Sequence, residues 1–517
     1  MARTKWRGTA VATAVWTAAL LAGVAPAAAS TSTSTCAATE AVVVRGPSAT
    51  AAAAAVLEAG GSVVRRLDLV GGVAARVSAS AADRLIGSGL AVDPDDTARV
   101  TSDSFAPFGA DAADTQLTAV DPGPSWDLQT GAGVAVALVD TGVDERPDLA
   151  GRLVHGVDLS SDHDDVDHYG HGTFMAGLIA GGGSASAGSG VRHTGVAPGA
   201  TVVSVKVADA DGSTTVSTII AGIGWAVDHA DQYGIGVLNL SFGAPPHGSF
   251  RADPMSAAVE AAWASGLTVV VAAGNDGAGR VTSPGRDPWV LTAGSTDTAG
   301  TATTADDTVP AFSGSGDRDG VRKPDVAAPG VSVISLRDPG SAIDVQHPSA
   351  RVGDDYFVGT GTSMATAEIA GAAAVLLATH PDATPDDVKG AVIDSAAPVR
   401  RSRAGALDLA AALAMPAADW DQAHGAAGGD DGEGDGDVVR MPWSATRWSA
   451  TRWSATRWSA TRWSATRWSA TRWSATRWSA TRWSATRWSA TRWSATRWSA
   501  TRWSATRWSD VGWGTDP

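Results

Sequence analysis

The chain has 517 residues, 44% of them hydrophobic, enough for two or three domains and a large core. Its formal charge of −15 conceals a split: residues 443–517 carry thirteen Arg against Asp510 and Asp516, a net +11, leaving −26 for the rest. An acidic body of that size argues against nucleic-acid binding by residues 1–442. The first element, "MARTKWRG" followed by an apolar run and "APAAAS", has the basic, apolar and small-residue order of a signal peptide over 1–29. No later stretch reaches the roughly 18 apolar residues of a spanning helix, so export without a transmembrane anchor is expected. Cys36 is the only cysteine, which excludes an intramolecular disulfide.

Residues 41–92 alternate as strand, helix, strand, strand, helix and a short final strand. That order predicts a small α+β, ferredoxin-like domain over about 37–100, with two helices on one sheet face. A polar stretch, "DPDDTARVTSDSFAPFGADAAD", follows as a linker. From residue 133 apolar runs at 134–140, 201–207, 235–242, 267–275, 289–295 and 331–336 read as fully buried strands. Helices are expected between them at 171–181, 215–230 and 254–265, then at 362–379 and 385–396. This alternation predicts an α/β parallel sheet with helices on both faces, over 116–415. Such sheets bind ligands beyond the carboxyl ends of their strands. A Gly/Asp linker (416–442) then leads to a "WSATR" pentad repeat over 443–513. Period five walks Trp around a helix and sends it to alternate faces of a strand, so neither makes a one-sided core.

The chemistry-bearing groups lie where strands end. Asp140 closes "VAVALVD", and a buried acid there needs a cation or N–H donors, or else forms an Asx turn. His171, flanked by glycines, opens a small-residue helix as a base or as an ordinary helix start. Asn275 ends "VVVAAGN" with an amide free to donate. Ser363 in "GTGTSMATAEIAG" reads as a nucleophile or as the cap of a buried helix. As a set they supply a nucleophile, its base, an acid orienting the base, and an oxyanion donor beside the Ser363 N–H.

"VALVDTGVD", "HGTFMAG", "AAGN" and "GTSMA" together resemble the four motifs of the subtilisin-like serine proteases, in that family's order. The resemblance covers about 116–415. It implies Asp140 as orienter, His171 as general base, Ser363 as nucleophile and Asn275 as oxyanion donor. Ser363 is also expected to cap its helix. "LNLSFG" resembles the edge that pairs with substrate backbone (Ser241, Phe242, Gly243), and "ADGST" the facing edge (Gly212, Ser213). "RVTSPGRDP" resembles the floor of the first specificity pocket, with Thr282 where glycine is common, which implies a shallower pocket. The small domain over 37–100 resembles the family's inhibitory propeptide, implying self-cleavage within 95–118.

Departures from the family pattern are Ala367 and Glu368 in the nucleophile helix, Phe174 after "HGT", and a 181–195 loop without the Asn-containing calcium pattern. No metal or cofactor is assigned, structural calcium included. The cluster Asp162, His163, Asp164, Asp165 and Asp167 offers cation ligands but reads first as a solvated acidic loop. The resemblance therefore implies a secreted serine endopeptidase acting on proteins or peptides and on its own propeptide. One alternative is an envelope-binding repeat protein whose protease domain only performs its own maturation; another is a catalytically weak scaffold. For the tail, a flexible low-complexity segment stands beside an Arg/Trp tether to the anionic cell envelope.

Overall fold

The computed structural model describes residues 38–101, 104–105, 130–188, 192–301, 304–318, 320–400, 402–416 and 420, and the backbone of strands between 443 and 510. The signal segment 1–29, Cys36, Trp513, residues 102–103 and 106–118 of the expected cleavage window, and all of the 416–442 linker but 416 and 420 lie outside the described residues.

The N-terminal unit runs β1 (Thr39–Arg45), α1 (Ala49–Glu58), β2 (Ser62–Leu67), β3 (Gly72–Ser78), α2 (Ala79–Gly87) and β4 (Ala91–Pro94), in sheet order β2-β3-β1-β4. Ser48 and Ser78 start the helices by accepting the Ala51 and Ala81 N–H groups. Alternation sorts the sheet's faces. Val42, Val44, Val73, Ala75 and Val77 meet both helices, whereas Val43, Leu67 and Ala74 join the core of the main domain. The chain leaves through β5 (Thr97–Val100).

Beyond residue 130 the main elements are β6 (Ala135–Asp140), β7 (Leu153–Asp158), α3 (His171–Ala180), β8 (Thr201–Lys206), β9 (Ser213–Thr215), α4 (Val216–Asp228), β10 (Ile235–Leu240) and β11 (Phe242–Gly243). Next come α5 (Pro254–Ala264), β12 (Thr268–Ala272), β13 (Leu291–Thr296), β14 (Val326–Pro329), β15 (Val333–Leu336), β16 (Tyr356–Gly359), α6 (Thr362–Thr379), α7 (Pro385–Asp394) and β17 (Gly405–Ala406). The parallel sheet has the order β17-β14-β13-β12-β10-β6-β8-β7. Val136 and Leu138 face α3 and α6, while Ala135, Ala137 and Val139 face α4 and α5. Both faces are covered, so the strands read as unbroken apolar runs.

Two readings need correction. "VSVISL" is not a strand of this sheet; β15 pairs antiparallel with β16 in a small separate sheet. The main-sheet strand there is β14, whose four residues end in Pro329 and carry too short an apolar run to stand out. Helix α6 also reaches 18 residues with a mean hydropathy of 1.3, the length of a membrane span, but it lies buried through the core.

The repeat is described as strands Trp443–Ala460, Trp463–Ala480 and Trp483–Ala500, paired parallel with Trp443 on Trp463 and Trp463 on Trp483. A straight strand of 18 residues is about 60 Å long at ~3.3 Å per residue, and the three Cα steps from Ala460 to Trp463 reach at most about 11 Å. Parallel pairing therefore requires each segment to wind round as a coil. The offset of 20 residues, four pentads, sets identical positions one above another. A coil accommodates the period of five that a helix and a flat strand cannot.

Candidate active site

Asp140 ends β6 in the middle of the sheet, fully buried. Its Oδ1 accepts the Thr141 N–H (2.8 Å) and lies 2.7 Å from His171 Nδ1. A carboxylate on Nδ1 puts the proton there and leaves Nε2 as the basic nitrogen. His171 is the first residue of α3, which follows Gly170 at φ 97°, a left-handed conformation suited to glycine. Asp167 locks that helix start. It accepts Gly170 N–H (2.7 Å), Thr173 N–H (2.8 Å), Thr173 Oγ1 (2.8 Å) and Thr141 Oγ1 (2.7 Å), and Thr141 Oγ1 in turn accepts Gly172 N–H.

Burial pushes the Asp167 carboxyl up, against the hydrogen bonds from Thr141, Thr173 and Gly170 that pull it down. Asp338 beside it is pushed up to about 9 by burial and by the Asp167 and Asp144 carboxylates. The acidic cluster is thus divided. Asp167 is a buried helix anchor, while Asp162 and Asp164 lie 3.0 and 3.2 Å from Lys206 Nζ. Among the described residues no group of three or more His, Cys, Asp or Glu is arranged to hold a metal.

Ser363 is the second residue of α6. It does not cap the helix: the cap position is Gly361, at φ 154° and ψ 168°, a region open essentially to glycine alone. That turn leaves the Ser363 N–H unpaired within the helix, directed at the cleft. The N–H donates to the Thr101 carbonyl (3.3 Å), and Asn275 Nδ2 donates to the same oxygen (2.5 Å). Asn275 is oriented from behind by Thr362, whose N–H (3.0 Å) and Oγ1 (2.9 Å) both donate to its Oδ1. The amide therefore presents its NH₂ to the carbonyl. Thr362 was not singled out by sequence reasoning, although its place beside Ser363 was the available signal.

Thr101 extends β5, which lies between two edges. Val100 and Arg99 pair antiparallel with Phe242 and Gly243, and Arg99, Ala98 and Thr97 with Ser213, Thr214 and Thr215. Gly212 O accepts the Val100 N–H, and Ser241 O accepts the Thr101 N–H (2.9 Å). A side chain on Gly212 would strike the Tyr169 ring at 2.7 Å. Ala98 is fully buried against Phe242, Ala208 and Val216. Thr282 packs between Gly243 and Gly274, where a Cβ on either glycine would meet it at 2.7 Å. Gly212, Ser213, Ser241, Phe242 and Gly243 thus flank β5 and Thr101, while Thr282 packs behind Gly243.

The hydrogen bond expected between Ser363 Oγ and His171 Nε2 is not made. Ser363 Oγ lies 2.9 Å from Thr101 Oγ1, and His171 Nε2 is buried without a partner. Thr101 Oγ1 donates to Ser241 O (3.0 Å), and a hydroxyl has one proton to give. While that proton is on Ser241 O, Thr101 Oγ1 can only accept from Ser363 Oγ, and the Ser363 proton then points away from His171.

The subtilase family model matches residues 131–431. Over 270 residues the chain is 44% identical to "Serine protease AprX" of Bacillus subtilis (strain 168), covering 50% of this chain and 60% of that protein. It is 36% identical over 259 residues to "Subtilisin-like protease 1" of Arthroderma gypseum (strain ATCC MYA-4604 / CBS 118893), covering 49% of this chain and 45% of that protein. The chain thus spans about half to three-fifths of the length of these relatives. Among solved structures, fervidolysin from Fervidobacterium pennivorans, described as a keratinolytic enzyme related to subtilisin, superposes with a TM-score of 0.58. That match is 25% identical and covers 73% of this chain and 61% of the other.

Proposed function

As the chain belongs to the subtilase family, we propose that it is an exported serine endopeptidase that cuts its own N-terminal domain away between Thr101 and Ser102. The observation that carries this reading is the Thr101 carbonyl, held by the Ser363 N–H and the Asn275 amide. Donors fixed on that oxygen favour the negative charge it gains when its carbon is attacked.

In the reaction, Ser363 Oγ attacks the Thr101 carbonyl carbon while His171 Nε2 takes the hydroxyl proton. The imidazolium is stabilised by Asp140 on Nδ1. Collapse of the tetrahedral adduct breaks the Thr101–Ser102 bond, and His171 returns its proton to the leaving Ser102 amine. Water activated by His171 then hydrolyses the Ser363 ester, releasing Thr101 as a carboxylate. The freed domain stays as an inhibitor through the ladders of β5 and the apolar face carrying Val43, Leu67 and Ala74. External proteins and peptides would enter along the same rails once it leaves. The test is incubation of the purified full chain and its Ser363→Ala variant with an internally quenched peptide spanning Thr97–Phe105. Cleavage by the first and not by the second supports the reading; equal cleavage overturns it.

For the tail we propose a tether to anionic envelope polymers. Its support is the net charge of +11 and the stacking of identical pentads at a 20-residue offset, which repeats Arg positions in columns along the coil. The full chain should pellet with cell envelopes at low salt and release at high salt, as paired charges do when screened. A variant with the tail Arg residues replaced by Gln should stay in solution. Equal pelleting by both would refute the tether.

A further inference from the structure

We infer that the cleft continues beyond the cut into an aromatic subsite that takes a phenylalanine-class side chain four residues after the scissile bond. The inference rests on the self-cleavage reading, which makes Phe105 the fourth residue past Thr101.

The backbone rail comes first. Ser104 N–H donates to Thr360 O (3.2 Å) and Thr360 N–H donates to Ser104 O (2.9 Å), an antiparallel bridge. Thr360 lies three residues before Ser363, so the segment that carries the nucleophile also holds the strand leaving the cut. Main-chain pairing of this kind is indifferent to sequence, and a side-chain pocket supplies the preference.

The pocket is built around Phe105, which is only 9% exposed although it belongs to a connecting segment. Its ring meets Phe174 edge-on at 6.4 Å, Phe357 at 5.7 Å and His347 at 5.5 Å. Tilted and edge-to-face contacts at these separations are the favourable aromatic geometries. Gly359 completes the cradle: a Cβ there would come within 3.3 Å of the Phe105 ring, 3.0 Å of Phe174 and 2.4 Å of Met364.

The walls do not depend on Phe105. Phe174 belongs to the helix that begins at His171, and Phe357 to the strand that leads into Thr360; both are core residues. If the segment after the cut leaves, these walls stay in register with Ser363 through α3 and β16. A substrate with an aromatic residue at that position fills the pocket again.

The test compares two internally quenched peptides on the self-processed full chain. Both carry Thr-Ala-Arg-Val-Thr before the cut; one continues Ser-Asp-Ser-Phe and the other Ser-Asp-Ser-Ala. The Phe peptide should have a kcat/KM higher by about tenfold to a hundredfold, the range expected for burying one aromatic side chain. The gain should appear mainly in KM, because the contact is the same before and during reaction. His347→Ala, which removes a half-buried wall, should shrink the ratio. Because the readout is a ratio on one preparation, loss of folded protein cancels. Equal kcat/KM for both peptides overturns the subsite and leaves the endopeptidase intact, and so does a ratio untouched by His347→Ala. If neither peptide is cut, the endopeptidase reading fails and the subsite with it.

Discussion

Thr101→Val should speed self-cleavage. In the full chain the Thr101 hydroxyl can donate to Ser241 O while accepting from Ser363 Oγ at 2.9 Å, and His171 Nε2 stands without a partner. Attack requires the Ser363 proton to point at His171, so the Thr101 contact must break first. Valine has nearly the shape of threonine but cannot accept. Ser241 O keeps the Thr101 N–H at 2.9 Å and is not orphaned by the change. The net worth of such a hydrogen bond is about 1 kcal/mol, which predicts roughly fivefold faster conversion. Thr101→Ser keeps the hydroxyl and should process at the wild-type rate. The assay is a time course of precursor conversion on gels for the three full chains at one pH. Valine processing no faster than wild type, with serine unchanged, would refute the idea that this hydroxyl holds back the nucleophile.

Ser363→Ala should abolish processing and leave full-length precursor, read by intact mass. Asn275→Ala should lower kcat on an external peptide about 10²–10³-fold with little change in KM, the loss of one oxyanion donor; a loss under tenfold would move that role elsewhere. Thr282→Gly removes the side chain packed between Gly243 and Gly274; if Thr282 forms the floor implied by the family resemblance, it should raise kcat/KM for peptides with Leu or Phe before the cut relative to Thr, by peptide profiling. The carboxyl of Asp338, pushed up to about 9 by burial and its acidic neighbours, binds a proton in the folded state that the unfolded chain has lost above about pH 4. Its contribution to stability is complete below that value and is lost as pH rises toward about 9. The Tm should fall over that range, and Asp338→Asn should flatten the fall.

The core of this account was legible in the sequence because apolar strands end in polar residues of rare type. Asp140 closing "VAVALVD" and Asn275 following "VVVAA" stood out against their runs. The N-terminal unit was equally clear, since Val42 to Val44 and Val73 to Val77 alternate between two cores. What was hidden depends on contacts distant in sequence. Thr362 gains its role only because Asn275, 87 positions away, needs its Oδ1 held. Asp167 looked like one of several acids in a polar loop, and only burial under the His171 helix separates it from Asp162 and Asp164. Phe105 sits in a polar stretch with no period, so its pocket could be seen only once α3 and β16 were side by side. The strand β14 escaped notice because its run is short and ends in proline.

The most direct measurement is N-terminal sequencing of the self-processed protein purified from culture medium. A mature chain beginning Ser-Asp-Ser-Phe-Ala, from Ser102, is the result required by a Thr101 carbonyl seated between Ser363 and Asn275. A mature chain beginning anywhere else, or a wild-type chain that keeps its N-terminal domain covalently attached, would contradict it.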